Sequence, residues 1–174
     1  MIPGFFQTAG YAEALIRSIT NFQGTPDDIP DAVAARLARS RFLYEGGHRF
    51  VVLIEEWVLR TKIGTAERMA GQLAHLLTVM PLPSVSLGII PLGAERTVWP
   101  LEGFYLYDDH HTVVETLTAS INVRQPRELA DYTRAFTGLA TMAVHGDAAR
   151  TLIRAAWMIW EDVHGDAART LIRA

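Results

Sequence analysis

Cysteine is absent from the 174 residues, which removes disulfides, thiolate chemistry and thiolate metal sites at once. No apolar run is long enough to span a bilayer, and the N-terminus lacks the basic-then-apolar pattern of a signal peptide, so a cytoplasmic chain is expected. Positive charge is in deficit: 16 Lys and Arg against 19 Asp and Glu leave a net charge of -3. That balance argues against a surface that grips nucleic acid or an anionic membrane broadly. Missing too are a Walker A loop, GxGxxG, HExxH and GxSxG. Serines and threonines occur without an assembled base beside them in sequence, and neither a cofactor nor a metal is expected.

What is there suffices for one compact domain with a sizeable core, since 49% of the residues are hydrophobic. The chain is organised around Phe50 to Leu92. An apolar strand, Phe50-Val51-Val52-Leu53-Ile54, leads through Glu55-Glu56 into an amphipathic helix, and Val85-Ser86-Leu87-Gly88-Ile89-Ile90 reads as a second strand. Met69, Leu73, Leu76, Leu77 and Met80 fall at helical spacing, Thr65 can cap the first turn, and Pro81 and Pro83 stop the helix. A helical connection of this length returns the second strand parallel to the first, giving a βαβ unit.

Upstream, the Pro3-Gly4 turn directly after Ile2 reads as a join to something preceding it. Thr8 caps a helix from about Ala9 to Ile19 with Ala12, Leu15, Ile16 and Ile19 buried. Pro30 opens a second helix that Gly46-Gly47 ends. Its Arg36, Arg39 and Arg41, with His48 and Arg49 beyond, read as a solvated face in preference to a phosphate or DNA contact. Downstream, the loop from Gly93 to Gly103 carries Trp99, either as a lid or pocket wall or folded down on the core. Phe104 to Tyr107 and Thr112 to Val123 read as two strands joined across Asp108-Asp109-His110-His111. Gln125-Pro126 then starts a helix with Leu129, Tyr132, Phe136 and Leu139 at helical spacing. Finally, Val144 through Ala155 recurs unchanged as Val163 through Ala174. One short duplicate is not a repeat architecture. It reads as a recent local duplication or an artefact, and the second copy is given no role in the fold.

Few residues offer chemistry. Alternation along Thr112 to Val123 puts Val113, Glu115 and Leu117 on one apolar face. A carboxylate there must be paired, hydrogen-bonded or protonated. It fits a buried ion pair, a polar anchor in a ligand pocket, or a catalytic acid with raised pKa. Glu55 and Glu56 face opposite sides of their strand, so at most one looks inward, and Glu56 could meet Glu115 in one cavity as an acid/base pair. The His110-His111 pair is explained by turn polarity without a metal.

The opening Ile2-Pro3-Gly4-Phe5-Phe6-Gln7-Thr8 with Tyr11-Ala12-Glu13-Ala14-Leu15 resembles the "PGLLQT..YA..L" start of the DUF5753 domain. The resemblance continues through Val33 to Arg39, Ile54-Glu55-Glu56 with Leu59-Arg60, Gln72-Leu73, Val85 to Pro91, Gly103-Phe104, Val114-Glu115, Tyr132, Phe136 and Leu139. It spans about residues 2–155, leaving 156–174 as a C-terminal extension. Such domains are common in actinobacteria and usually follow a helix-turn-helix of the XRE type. The resemblance therefore implies a ligand-sensing or partner-binding regulatory domain, with DNA reached only through a helix-turn-helix that this chain lacks. Gln7, Tyr11, Arg36, Arg39, Glu56, Gln72 and Glu115 stand at recurrent polar positions of that family. With Trp99 they are the candidate ligand-binding residues, and no catalytic residue is assigned. Two departures are Phe5-Phe6 in place of two leucines and Ser40 where a Gln often stands.

The fold expected is α+β: a mixed sheet of about four strands containing the βαβ unit, surrounded by helices in a single domain. The partner expected is a small molecule or another protein, with a homodimer and no membrane. The competing readings are a stand-alone small-molecule enzyme using Glu56 and Glu115, and a dimerisation module.

Overall fold

The computed structural model describes residues 1–25, 28–99 and 102–172, with side chains described as far as residue 163. In chain order its elements are α1 (Ala9–Gln23), α2 (Ile29–Ser40), β1 (Phe50–Glu55), α3 (Glu56–Arg60), α4 (Ala66–Val79), β2 (Val85–Ile90), β3 (Phe104–Tyr107), β4 (His111–Glu115), β5 (Ser120–Val123), α5 (Pro126–Met142) and α6 (Gly146–Ile172). Short 3-10 turns at Gly4–Phe6 and Arg41–Leu43 precede α1 and follow α2. The architecture is α+β, and the chain gathers into two compact units, residues 1–92 with 144 onward, and Gly93–Ala143.

The first unit is built on the expected βαβ crossover. β1 and β2 run parallel, with Phe50 beside Val85 and Ile54 beside Ile89. Two helices make the crossover. β1 turns directly into the single turn and a half of α3, and α4 follows after Gly64, whose φ of +75° suits a residue without Cβ. Thr65 caps α4, its Oγ1 accepting from Arg68 N at 3.2 Å. Thr8 does the same for α1 through Tyr11 N at 3.3 Å. α1 continues past Ile19, which is exposed, and ends at Gly24 in the left-handed region at φ +66°. On α4, Met69, Leu73, Leu76 and Val79 form an apolar stripe. It packs with Ile54, Leu87 and Ile89 of the strands and with Ala149, Ile153, Ala156 and Trp160 of α6.

The expected boundary between residues 155 and 156 falls within α6, which passes through it without a break. Ala156 and Trp160 belong to the core, and Trp160 Nε1 donates to Leu59 O of α3 at 3.0 Å. The helix runs on into the second copy of the duplicated segment. The expectation that this copy takes no part in the fold rests on side chains beyond residue 163, outside those described.

The second unit is an antiparallel sheet in the order β3-β4-β5, followed by α5. Here the structure corrects the sequence in two ways. Among the described residues the strands form, in place of one mixed sheet of about four, a two-stranded parallel and a three-stranded antiparallel sheet. The stretch from Thr112 to Val123 is a hairpin of β4 and β5, with Glu115 opposite Ser120 and Leu117-Thr118 at the tip. Thr116 makes the turn: its N–H donates to Ala119 O at 2.8 Å, and its Oγ1 accepts from Ala119 N at 3.1 Å. A threonine hydroxyl competing for backbone groups can break a strand where no glycine, proline or asparagine announces it. The hairpin also reverses the facing, because Thr112 and Val114 are buried while Glu115 is exposed.

Candidate functional site

Four of the sequence-selected residues converge in the first unit, around the opening segment. Gly4 to Phe6 turn over the buried Ile2 and Phe6, which leaves the backbone polar groups of this segment in need of partners. Gln7 supplies one, its Nε2 donating to Ile2 O at 2.6 Å while its Oε1 accepts from Arg36 Nη1 at 2.9 Å. Tyr11 supplies another, its hydroxyl accepting from Ile2 N at 3.3 Å; burial pushes its pKa up. Gln72, fully buried on α4, donates from Nε2 to Phe6 O at 2.7 Å and accepts at Oε1 from Thr8 N at 2.8 Å. One glutamine side chain thus replaces the strand neighbour that residues 6 and 8 lack. The polar atoms of Gln7, Tyr11 and Gln72 are engaged within the protein, with its backbone and, for Gln7 Oε1, with Arg36. Their work is to fix the opening segment against α1, α2 and α4.

Glu56 stands at the point where β1 becomes α3, and only 6% of it is exposed. Both carboxylate oxygens are engaged. Oε2 accepts from Leu92 N at 3.0 Å, and Oε1 accepts from Arg60 Nη2 and Nε at 2.8 and 3.1 Å. The Leu92 amide, and then Arg60, hold its pKa below the ordinary glutamate range against the opposing effect of burial. A carboxyl held ionised in this way is poorly suited to be a general acid, which must carry a proton at working pH. What Glu56 does is tie the chain leaving β2 to the helix leaving β1.

The remaining candidates lie elsewhere. Arg39 is exposed on α2. Trp99, in the second unit, is 71% exposed and is not folded down on a core; the Arg96 guanidinium sits 5.4 Å from its ring centre. Glu115 is exposed at the end of β4, so the expected placement on a buried apolar face is overturned by the hairpin. His110 pairs with Asp109 in the exposed turn at 3.2 Å, and the His111 ring stacks on Tyr107 at 4.6 Å.

No feature of the sequence singles out a further cleft of the first unit. It is open, about 390 Å³ in volume, and lies where β1 and β2 begin, with Leu43, Leu82 and Pro83 as apolar walls. Tyr44, Glu45, His48, Arg49 and Ser84 supply its polar groups. Gly46 and Gly47, both at positive φ, bend the chain around it, and the His48 ring meets Phe42 edge-on at 5.3 Å. Apolar walls with a few charges of both signs suit a small amphiphilic molecule. The glycine pair was the available signal, and it reads equally well as a helix stop.

An α+β chain with this βαβ unit and opening segment is the class the geometry defines. A family model described as "Domain of unknown function (DUF5753)" matches residues 1–155, and the chain belongs to that family. No curated protein and no solved structure is found to match it. Among the described residues no helix is long and apolar enough to cross a membrane.

Proposed function

We propose that this chain is the regulatory domain of an XRE-type transcription regulator of the actinobacterial kind. On this reading it acts in the cytoplasm as a homodimer, binds a small molecule or a partner protein, and reaches DNA only through a helix-turn-helix outside it. The observation that supports the reading is the way the opening segment is held. Ile2 and Phe6 lie in the core, and Gln7, Tyr11 and Gln72 clasp the backbone from Ile2 to Thr8. A DNA-binding head joined upstream would be continuous with α1, α2 and α4. A shift of those helices would then displace the head instead of being taken up by a slack linker. The cleft beside His48 and Arg49 is the place where a small molecule would bias such a shift.

Native mass spectrometry of the chain purified from its own host tests this. The expected result is a species carrying a small molecule or a second protein, with the small-molecule increment lost in His48→Ala. Recovery with nothing bound, together with a melting temperature unmoved by a metabolite panel, would overturn it.

A further inference from the structure

We infer that the outer edge of β1 is a docking surface for a second copy of this chain, the two β1 strands pairing antiparallel across a twofold axis. The inference names the surface of the homodimer proposed above but does not need the regulatory role.

Phe50 N donates to Ser84 O of the chain entering β2, so Phe50, Val52 and Ile54 direct their amides and carbonyls toward β2. Alternation then directs those of Val51 and Leu53 to the other side. No strand among the described residues pairs with that side. Natural edges are blunted by lysine, proline, a bulge or an inward charge. From Phe50 to Ile54 there is none of these, and all six residues of β1 pair with β2 in register without a bulge. Val51 is 55% exposed. A sheet of only two parallel strands is also short of what such sheets ordinarily need, whereas antiparallel addition of a second copy makes four strands in the order β2-β1-β1-β2.

The strand is also complementary to itself. A twofold axis through Val52 sets Val51 of one copy across from Leu53 of the other. The outward amides and carbonyls of those two residues then face each other as hydrogen-bonded pairs. This is strand addition, in which main-chain bonds supply affinity and alternate side chains supply register.

The test uses the full chain. Native mass spectrometry and sedimentation should show a dimer in the unaltered chain, and monomers in Val51→Lys and in Val51→Pro. Both substitutions fall on an outward position and leave the bonds to β2 in place, and circular dichroism checks that the fold is kept. Independently, amide exchange of the unaltered chain should show protection at Val51 and Leu53 that rises with protein concentration. A monomeric unaltered chain, a dimer that survives both substitutions, or fast exchange at Val51 and Leu53 at every concentration would overturn the inference. If the dimer fails while a bound small molecule is still retained, this surface is wrong and the sensing role stands.

Discussion

Glu56 and Gln72 are both buried polar residues, and each satisfies backbone groups that the local fold leaves without partners. For Glu56 the consequence is a pH dependence whose sign is fixed. Its pKa is lower in the folded chain than in the unfolded one, so its contribution is fully present above the ordinary glutamate value and is lost as pH falls through the lowered, folded value. Glu56→Gln should therefore be less stable near neutrality and lose less on acidification. The cost near neutrality is expected to be about 1–2 kcal/mol, toward the low end for bonds to a charged group because Arg60 is more than a third exposed. Urea midpoints at pH 7 and pH 3 read both effects; a constant difference between the two proteins at both pH values would show that the charge is not what matters. For Gln72 the loss is of two backbone partners, so Gln72→Leu should cost about 3 kcal/mol, from unsatisfied groups at roughly 1–3 kcal/mol each. If Gln72 instead served a ligand, the variant would keep its urea midpoint and lose only the binding.

At the scale of elements, the parts legible in the sequence are those whose local signals agree with their packing. Thr8 and Thr65 cap the helices they were expected to cap, and the α4 stripe from Met69 to Leu76 is buried as its period requires. β1 and β2 pair in parallel as a long crossover demands. The hairpin at Thr116 was not legible, because its turn is made by a threonine hydroxyl and carries none of the usual turn residues. Missing that turn by one pleat put Glu115 on the wrong face. The candidate site was legible as a set of residues but not as a role: the polar positions near the start do meet in space, yet they serve the backbone. Nor could sequence show that α6 stays in the core past residue 155, since the family resemblance ends there and the duplicated segment follows. Trp160 makes the point testable. Trp160→Ala removes a large buried ring and the bond to Leu59 O, and should cost about 3–5 kcal/mol by urea denaturation. A loss below about 1 kcal/mol, the range of ordinary surface substitutions, would mean that this stretch of α6 is not holding α3 in place.

For the whole molecule, the two units differ in how much apolar surface each has to lose on opening. The first sets a continuous cluster from Ile2 to Trp160 around α4 and the parallel strands. The second, among its described residues, buries Val114, Val123 and Leu139, with Thr112 beside them. Among the described residues the Thr112 hydroxyl has no hydrogen-bond partner, a further cost to that unit's core. Local opening free energy follows buried apolar contact, so amides of β3, β4, β5 and α5 should exchange faster than those of β2 and α4. A tenfold difference, about 1.4 kcal/mol, is the least that unequal cores should produce. The chain enters and leaves the second unit next to fixed points of the first: Leu92 is held by Glu56, and Val144 exchanges two backbone bonds with Ile89 at 2.8 and 2.9 Å. Opening of the second unit can then stop at those points instead of spreading into β2. Native-state exchange at pH 7 should accordingly resolve two tiers of protection, with the step at Leu92 and Val144. A single tier across both units would mean that they open together, and a mutation in one unit would then have to be read as a loss of stability in the whole chain.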